Sequence, residues 1–226
     1  MSQILGTNGK TLISMDFDRH TTCQSLCEYC YVGRIEWRQH WRQKITRNAN
    51  AVRENPVNFA KQANTDYTTI KLNAKNTVRE RLPHSITRIY GAGDFEPCHL
   101  TMFKNLNFKF YIISKALTRK ENTSNLLELL KIKNLQKVNL SYDLNNLGNY
   151  TKLQHPKVQR CFTGTPDEYD SISSKYTFRI FFNRSKKHVD LRKYLKYKNR
   201  CVGYSKESTK EYICTHCKKC WNRNKK

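Results

Sequence analysis

Thr11-Leu12-Ile13-Ser14-Met15-Asp16-Phe17 leads, through Asp18 to Thr22, into Cys23-Gln24-Ser25-Leu26-Cys27-Glu28-Tyr29-Cys30. The first piece alternates loosely between apolar and polar residues and predicts a strand. The second holds three cysteines at C-x3-C-x2-C spacing in the loop after that strand. Thiolates are soft ligands that suit iron–sulfur clusters, and a [4Fe–4S] cube needs one ligand for each iron. Three cysteines in one loop serve three irons and leave the fourth open to a small molecule. A fourth cysteine would close the cluster and restrict it to structural or electron-transfer work. The competing readings are a zinc site or three buried thiols. Zinc sites favour two C-x2-C pairs or Cys/His pairs closed at four ligands. His20 is the nearby residue that would complete such a set.

Outward from the loop, Ile35 to Ala51 holds no Pro or Gly and predicts a long basic helix with Trp37 and Trp41 one turn apart. Core packing is the first reading of that pair, a stacking surface for bases the second. Asn55-Pro56 ends the helix and starts another. Asn64 to Pro83 reads as helix plus loop. Ser85 to Tyr90 is the next strand, followed at once by Gly91-Ala92-Gly93-Asp94-Phe95. Its glycines permit a tight turn and close approach of a ligand to the backbone. Asp94 supplies an acceptor for an ammonium group.

Phe108 to Ser114 predicts a further strand, with Ser114-Lys115 at its carboxyl end. Asn125 to Lys133 has leucines at helical spacing and reads as a crossover helix. Lys137 to Asp143, Lys157 to Phe162 and Tyr176 to Phe182 complete about six strands. Strands alternating with helices predict parallel βα units. Barrel-like α/β folds carry their chemistry at the carboxyl ends of the strands. The residues there are the cysteine loop, Gly91 to Asp94, Ser114, Ser141, Asp143 and Arg179. Ser141 and Asp143 either bond a cofactor's ribose or carboxylate, or cap a loop.

Near the end of the chain, Cys201, Cys214, Cys217, Cys220 and Trp221 form a C-x12-C-x2-C-x2-C-W arrangement. Its tight run is of bacterial ferredoxin spacing, which predicts a second [4Fe–4S] cluster. Structural zinc, with His216 replacing one thiolate, is the alternative. Cys98 and Cys161 read as small buried hydrophobes.

The 226 residues suit one domain with a small appendage. We divide them into a core over 1–195 and a cysteine-rich extension over 196–226. No apolar run is long enough to span a membrane. Met1 to Lys10 has no apolar secretory core, so a cytoplasmic location is expected. Nine cysteines in such a chain read as metal ligands before disulfides. Forty-two Lys and Arg against 18 Asp and Glu leave a net charge of +24. Such a field attracts polyanions and suggests a nucleic-acid partner. The richness in Asn, Lys, Ile and Tyr supplies a compositional explanation for part of that excess.

The cysteine loop, with Tyr29 just before its third cysteine, resembles the signature of radical S-adenosylmethionine enzymes. The resemblance implies an open partial (β/α)6-type barrel. It implies that Cys23, Cys27 and Cys30 bind the cluster, that the cofactor's methionyl amine and carboxylate chelate the open iron, and that Tyr29 lies near its adenine. Gly91-Ala92-Gly93-Asp94 is similar to the stretch that binds the methionyl amine in that superfamily. The implied activity is reductive cleavage of S-adenosylmethionine to a 5′-deoxyadenosyl radical that abstracts hydrogen from a nucleic-acid or peptide substrate. An electron donor such as a flavodoxin or ferredoxin comes with it. The cysteine loop, Arg88 to Phe95, Phe110 to Leu117 and Cys214-x2-Cys217-x2-Cys220-Trp221 also resemble a small phage-encoded family of unassigned activity. The rival expectation is a basic nucleic-acid-binding protein stapled by two metal sites, without turnover.

Overall fold

Among the described residues, seven strands form one sheet in the order of the chain. They are β1 (Gly6–Thr7), β2 (Ile13–Met15), β3 (Thr87–Ile89), β4 (Phe110–Ser114), β5 (Leu135–Tyr142), β6 (Val158–Gly164) and β7 (Thr177–Ile180). β1 is antiparallel to β2, and five parallel pairings join β2 through β7. The computed structural model describes residues 3–7, 13–23, 39–74, 86–90, 92–147, 153–172 and 176–180. The expected α/β class with a parallel sheet is present, and each expected strand lies within two or three residues of its place. The cysteine-rich extension over 196–226 lies outside the described residues.

Side chains alternate across a strand, so the register sorts the sheet into two faces. Ile13, Met15, Ile89, Ile112, Val138 and Leu140 share one face and are at most 1% exposed. They belong to one continuous apolar cluster. The other face is polar. Ser14, Arg88, Tyr111 and Lys137 stand in register across four strands. Asn139 pairs with Gln159, and Ser141 with Cys161. This polar face is nonetheless largely covered, since Tyr111, Asn139 and Cys161 are each at most 2% exposed. Cys161 is therefore buried as expected, and its thiol donates to Asn139 Oδ1 at 3.8 Å.

Among the described residues, six α-helices accompany the sheet: α1 (Arg19–Thr22), α2 (Gln39–Glu54), α3 (Pro56–Ala74), α4 (His99–Asn105), α5 (Thr123–Leu130) and α6 (Pro166–Asp170). α2 buries Ile45, Asn48, Ala49 and Val52, a single stripe at helical spacing. Trp41 on α2 is half-buried, and Trp37 lies outside the described residues. Asn55 accepts the Asn58 N–H and Pro56 opens α3, so the expected break restarts a helix at once. α3 runs on to Ala74, through much of the stretch expected to mix helix and loop. It buries Phe59, Ala60, Ala63 and Tyr67, and Tyr67 stacks on Phe108 at 4.5 Å. Each large apolar side chain so covered contributes about 1.5–3 kcal/mol, before the entropy of ordering it is set against this. α5 turns Leu126, Leu129 and Leu130 inward, as its leucine spacing predicts.

Candidate functional site

The carboxyl ends of β2 to β5 lie side by side, because these strands are parallel neighbours. Beyond β2 the chain passes Asp16 and Phe17 to Asp18, which caps α1. Asp18 Oδ1 accepts the His20 N–H at 2.9 Å, and its Oδ2 accepts the Thr46 hydroxyl of α2 at 2.9 Å. Such a cap satisfies amides that a helix start leaves open. One turn later Cys23 leaves α1 in an extended conformation, half-buried, its N–H on Arg19 O at 2.9 Å. This cysteine is the first of the C-x3-C-x2-C set. Cys27, Cys30 and Tyr29 lie outside the described residues, as do Cys201, Cys214, Cys217 and Cys220. His20, the nearby residue of the zinc reading, is exposed.

The turn after β3 is built against that same segment. Tyr90 N–H donates to Met15 O at 3.1 Å, and Phe17 N–H donates to Ala92 O at 3.2 Å. Ala92 N–H reaches Asp16 Oδ1 at 2.9 Å, and Asp94 N–H reaches Thr22 Oγ1 at 2.9 Å. Thr22 Oγ1 in turn donates to Asp18 O at 2.7 Å. Gly93 makes the closest approach, with φ +76°. A Cβ there would lie 2.7 Å from Thr22 Oγ1 and 2.8 Å from Phe17 O. The glycine is thus required by both its conformation and its neighbours. Gly91 lies outside the described residues.

Tyr90 is a bulky residue at φ 63°, a conformation that costs about 1–3 kcal/mol and persists only where the surroundings impose it. Its hydroxyl bonds His99 Nδ1 at 2.6 Å, inside a cluster of Phe17, Phe95, His99 and Phe103. Burial pushes the Tyr90 hydroxyl well above its usual pKa.

Asp94 is 3% exposed and joins the ends of β3 and β4. Its Oδ1 accepts the Ser114 hydroxyl at 2.5 Å and its own neighbour's amide, Phe95 N–H, at 2.7 Å. Its Oδ2 accepts Lys115 N–H at 3.1 Å and Ala116 N–H at 2.8 Å. A carboxylate has about four acceptor positions, and these contacts occupy them. Burial pushes the Asp94 carboxyl up, while the hydroxyl and the three amides pull it down. Ser114 also accepts Leu117 N–H at 3.0 Å, so its hydroxyl is committed within the fold. Asp94 and Ser114, read from the sequence as cofactor contacts, hold each other and the β4 exit in place.

Lys115 Nζ meets Asp143 Oδ2 at 2.5 Å between the ends of β4 and β5, with side chains 14% and 6% exposed. Asp143 Oδ1 accepts Asn145 N–H at 3.0 Å, the geometry of a loop cap, which was one of the two roles open to it. Ser141 is half-buried, and Asn146 Nδ2 donates to its carbonyl at 3.1 Å. The structure therefore brings Cys23, Ala92, Gly93, Asp94 and Ser114 into one connected group, with Ser141 and Asp143 farther along the same edge.

Sequence reasoning missed Asp16, Asp18 and Thr22, whose side chains bind this edge together. Asp18 followed by a polar four-residue helix carries only a local capping signal. It also missed the loop beyond the turn, where Glu96, Cys98 and His99 gather. Burial, reinforced by nearby Arg53, lowers the His99 pKa to about 3, so its ring is neutral. Among the described residues no helix is long and apolar enough to cross a membrane. Compared with family models, with curated proteins and with solved structures, the chain gives no match.

Proposed function

We propose that the chain is a radical S-adenosylmethionine iron–sulfur enzyme with a partial-barrel core, acting on a nucleic-acid or peptide substrate. One observation carries this reading. The segment that enters the three-cysteine loop and the Gly-containing turn after β3 are locked together at the carboxyl edge of a parallel sheet. A cluster on the loop and a cofactor on the turn would then be neighbours.

The strand order supports the partial barrel. Each parallel crossover in the chain-ordered sheet advances in the same direction. Right-handed crossovers of that kind put their helices on one face. The opposite face is polar and covered, the character of a barrel interior rather than of a solvent-facing sheet.

Cys23, Cys27 and Cys30 would hold the cluster, and the thiolate donor set suits iron. Cys23 fits where it is described, half-buried at the end of α1 and tied to the turn through Thr22. A cluster held there would supply, when reduced, the electron for reductive cleavage of S-adenosylmethionine. The chain's part is orientation. Gly93 lets the turn approach Phe17 and Thr22 of the segment that enters the loop, and Asp94 fixes the turn to the β4 exit. With its oxygens occupied, Asp94 acts through the backbone it holds, so the amine contact falls to the Gly91–Gly93 backbone. Tyr29, Ser141 and Asp143 complete the cofactor's surroundings on this reading. The C-terminal cysteines would hold the second cluster or zinc.

The test is anaerobic reconstitution with iron and sulfide, followed by electron paramagnetic resonance of the reduced protein. A cluster signal that shifts when S-adenosylmethionine is added, and disappears in Cys27→Ala, is the expected result. Bound zinc with no cluster would overturn it and leave the metal-stapled binding protein.

A further inference from the structure

We propose a second, separate metal site where the loop after β3 enters α4, formed by Glu96 and Cys98 of the loop and His99, the first residue of α4, and suited to zinc. One ligand atom from each residue lies within 4.8 Å of the other two. His99 Nε2 stands 3.9 Å from Glu96 Oε2. Tetrahedral zinc with bonds of about 2.0–2.3 Å holds its ligand atoms roughly 3.4–3.8 Å apart. Rotation of the half-buried Glu96 and Cys98 side chains toward the buried His99 ring would have to close the remaining difference. A thiolate, an imidazole and a carboxylate form a borderline-soft set that fits zinc better than calcium or magnesium. Three protein ligands leave a fourth position for water.

A second observation points the same way. His99 is fully buried, and its Nε2 has no hydrogen-bond partner. A buried polar atom left in this state is costly, and a metal would satisfy it. The rest of the ring is already fixed. It stacks on Phe17 at 4.7 Å, and Nδ1 faces the Tyr90 hydroxyl at 2.6 Å. Metal on Nε2 requires the ring proton on Nδ1, where the Tyr90 oxygen accepts it. The contact given up is Glu96 N–H to Nδ1 at 3.1 Å. One neutral hydrogen bond is thereby exchanged for a metal–nitrogen bond. Glu96 is oriented by the Arg53 guanidinium, which donates to its Oε2 at 2.9 Å and its Oε1 at 2.8 Å. Each carboxylate oxygen keeps a second acceptor position, so Arg53 remains as an outer partner when metal binds. The site is independent of the cysteine loop, since none of its ligands belongs to it.

The experiment reads the Cys98 thiol directly in the full-length chain. Alkylation by a maleimide is followed at each cysteine by peptide mass spectrometry, with zinc added and with zinc chelated. The thiolate held by a metal is a poor nucleophile, so labelling of Cys98 is expected to slow by at least about tenfold in zinc. Glu96→Gln should remove that protection at Cys98 while leaving any zinc effect at the other cysteines. Equal labelling of Cys98 in the two conditions would overturn the site, and this wild-type comparison stands even if Glu96→Gln fails to fold. Zinc protection that persists unchanged in a folded Glu96→Gln chain would equally remove Glu96 from the set and with it the site. Neither result depends on whether the cysteine loop carries a cluster.

Discussion

Gly93 and Asp94 are adjacent, yet they hold the edge of the sheet by different physics. At Gly93 there is no room for a methyl group, and the left-handed backbone adds strain to the clash. Gly93→Ala is expected to destabilise the chain by about 2–4 kcal/mol, combining the conformational penalty with overpacking. Urea denaturation measures it, and a loss below about 1 kcal/mol would mean that the turn yields. At Asp94 the issue is donors. Asp94→Asn keeps the shape but turns an NH2 group toward backbone N–H groups that need acceptors. A loss of about 2–3 kcal/mol is expected, against about 1 kcal/mol for Ser114→Ala, which removes one hydroxyl. The order of the two variants is the test. If Ser114→Ala costs more, Asp94 is not the hub of the network.

Between elements, the exits of β4 and β5 are joined by Lys115 and Asp143. A mostly buried ion pair reveals itself when one partner is removed, because the other charge is left uncompensated. The double variant Lys115→Met/Asp143→Asn should cost less than the sum of the two single changes, since each single change strands the other charge. A coupling of about 1–3 kcal/mol is expected from the double-mutant cycle, and strict additivity would show the pair to be incidental. The same scale explains what could be read from the sequence. The six described parallel strands were legible because each carries β-branched or aromatic residues in a short run between helical or turn-rich stretches. α2 was legible from a long run without Pro or Gly, and α5 from its leucine spacing. α1, α4 and α6 were not, because helices of four, seven and five residues are too short to show a period. Thr165-Pro166-Asp167-Glu168 did carry a capping-box signature, and both of its reciprocal bonds form. The candidate site was legible as two motifs. Their joining through Asp16 and Thr22 was not, because long-range hydrogen bonds leave no local pattern. The roles of Asp94 and Ser114 also escaped, since a residue type says what can accept a proton but not what has already been given to it.

For the whole molecule, charge and sheet topology make separate statements. The six parallel strands among the described residues contain no acidic residue, and the chain carries +24 overall. Binding to single-stranded RNA or DNA, followed by fluorescence anisotropy, is expected to weaken by at least about tenfold between roughly 50 and 200 mM salt. A flat profile would remove nucleic acid as the substrate and favour a peptide. The order of the sheet bears on how the chain acquires its shape. From β3 onward every new strand pairs with the one made just before it, so each closing connection is short. β2 alone must wait, while α2 and α3 are completed, for β3 to reach it. Short closures are the cheap ones, and long-range pairing is slow. Folding during synthesis would therefore stall once, at the β2–β3 junction, and then proceed strand by strand. That junction is where the cysteine-loop segment and the Gly93 turn meet, so the functional edge would be set early and the rest of the sheet laid against it.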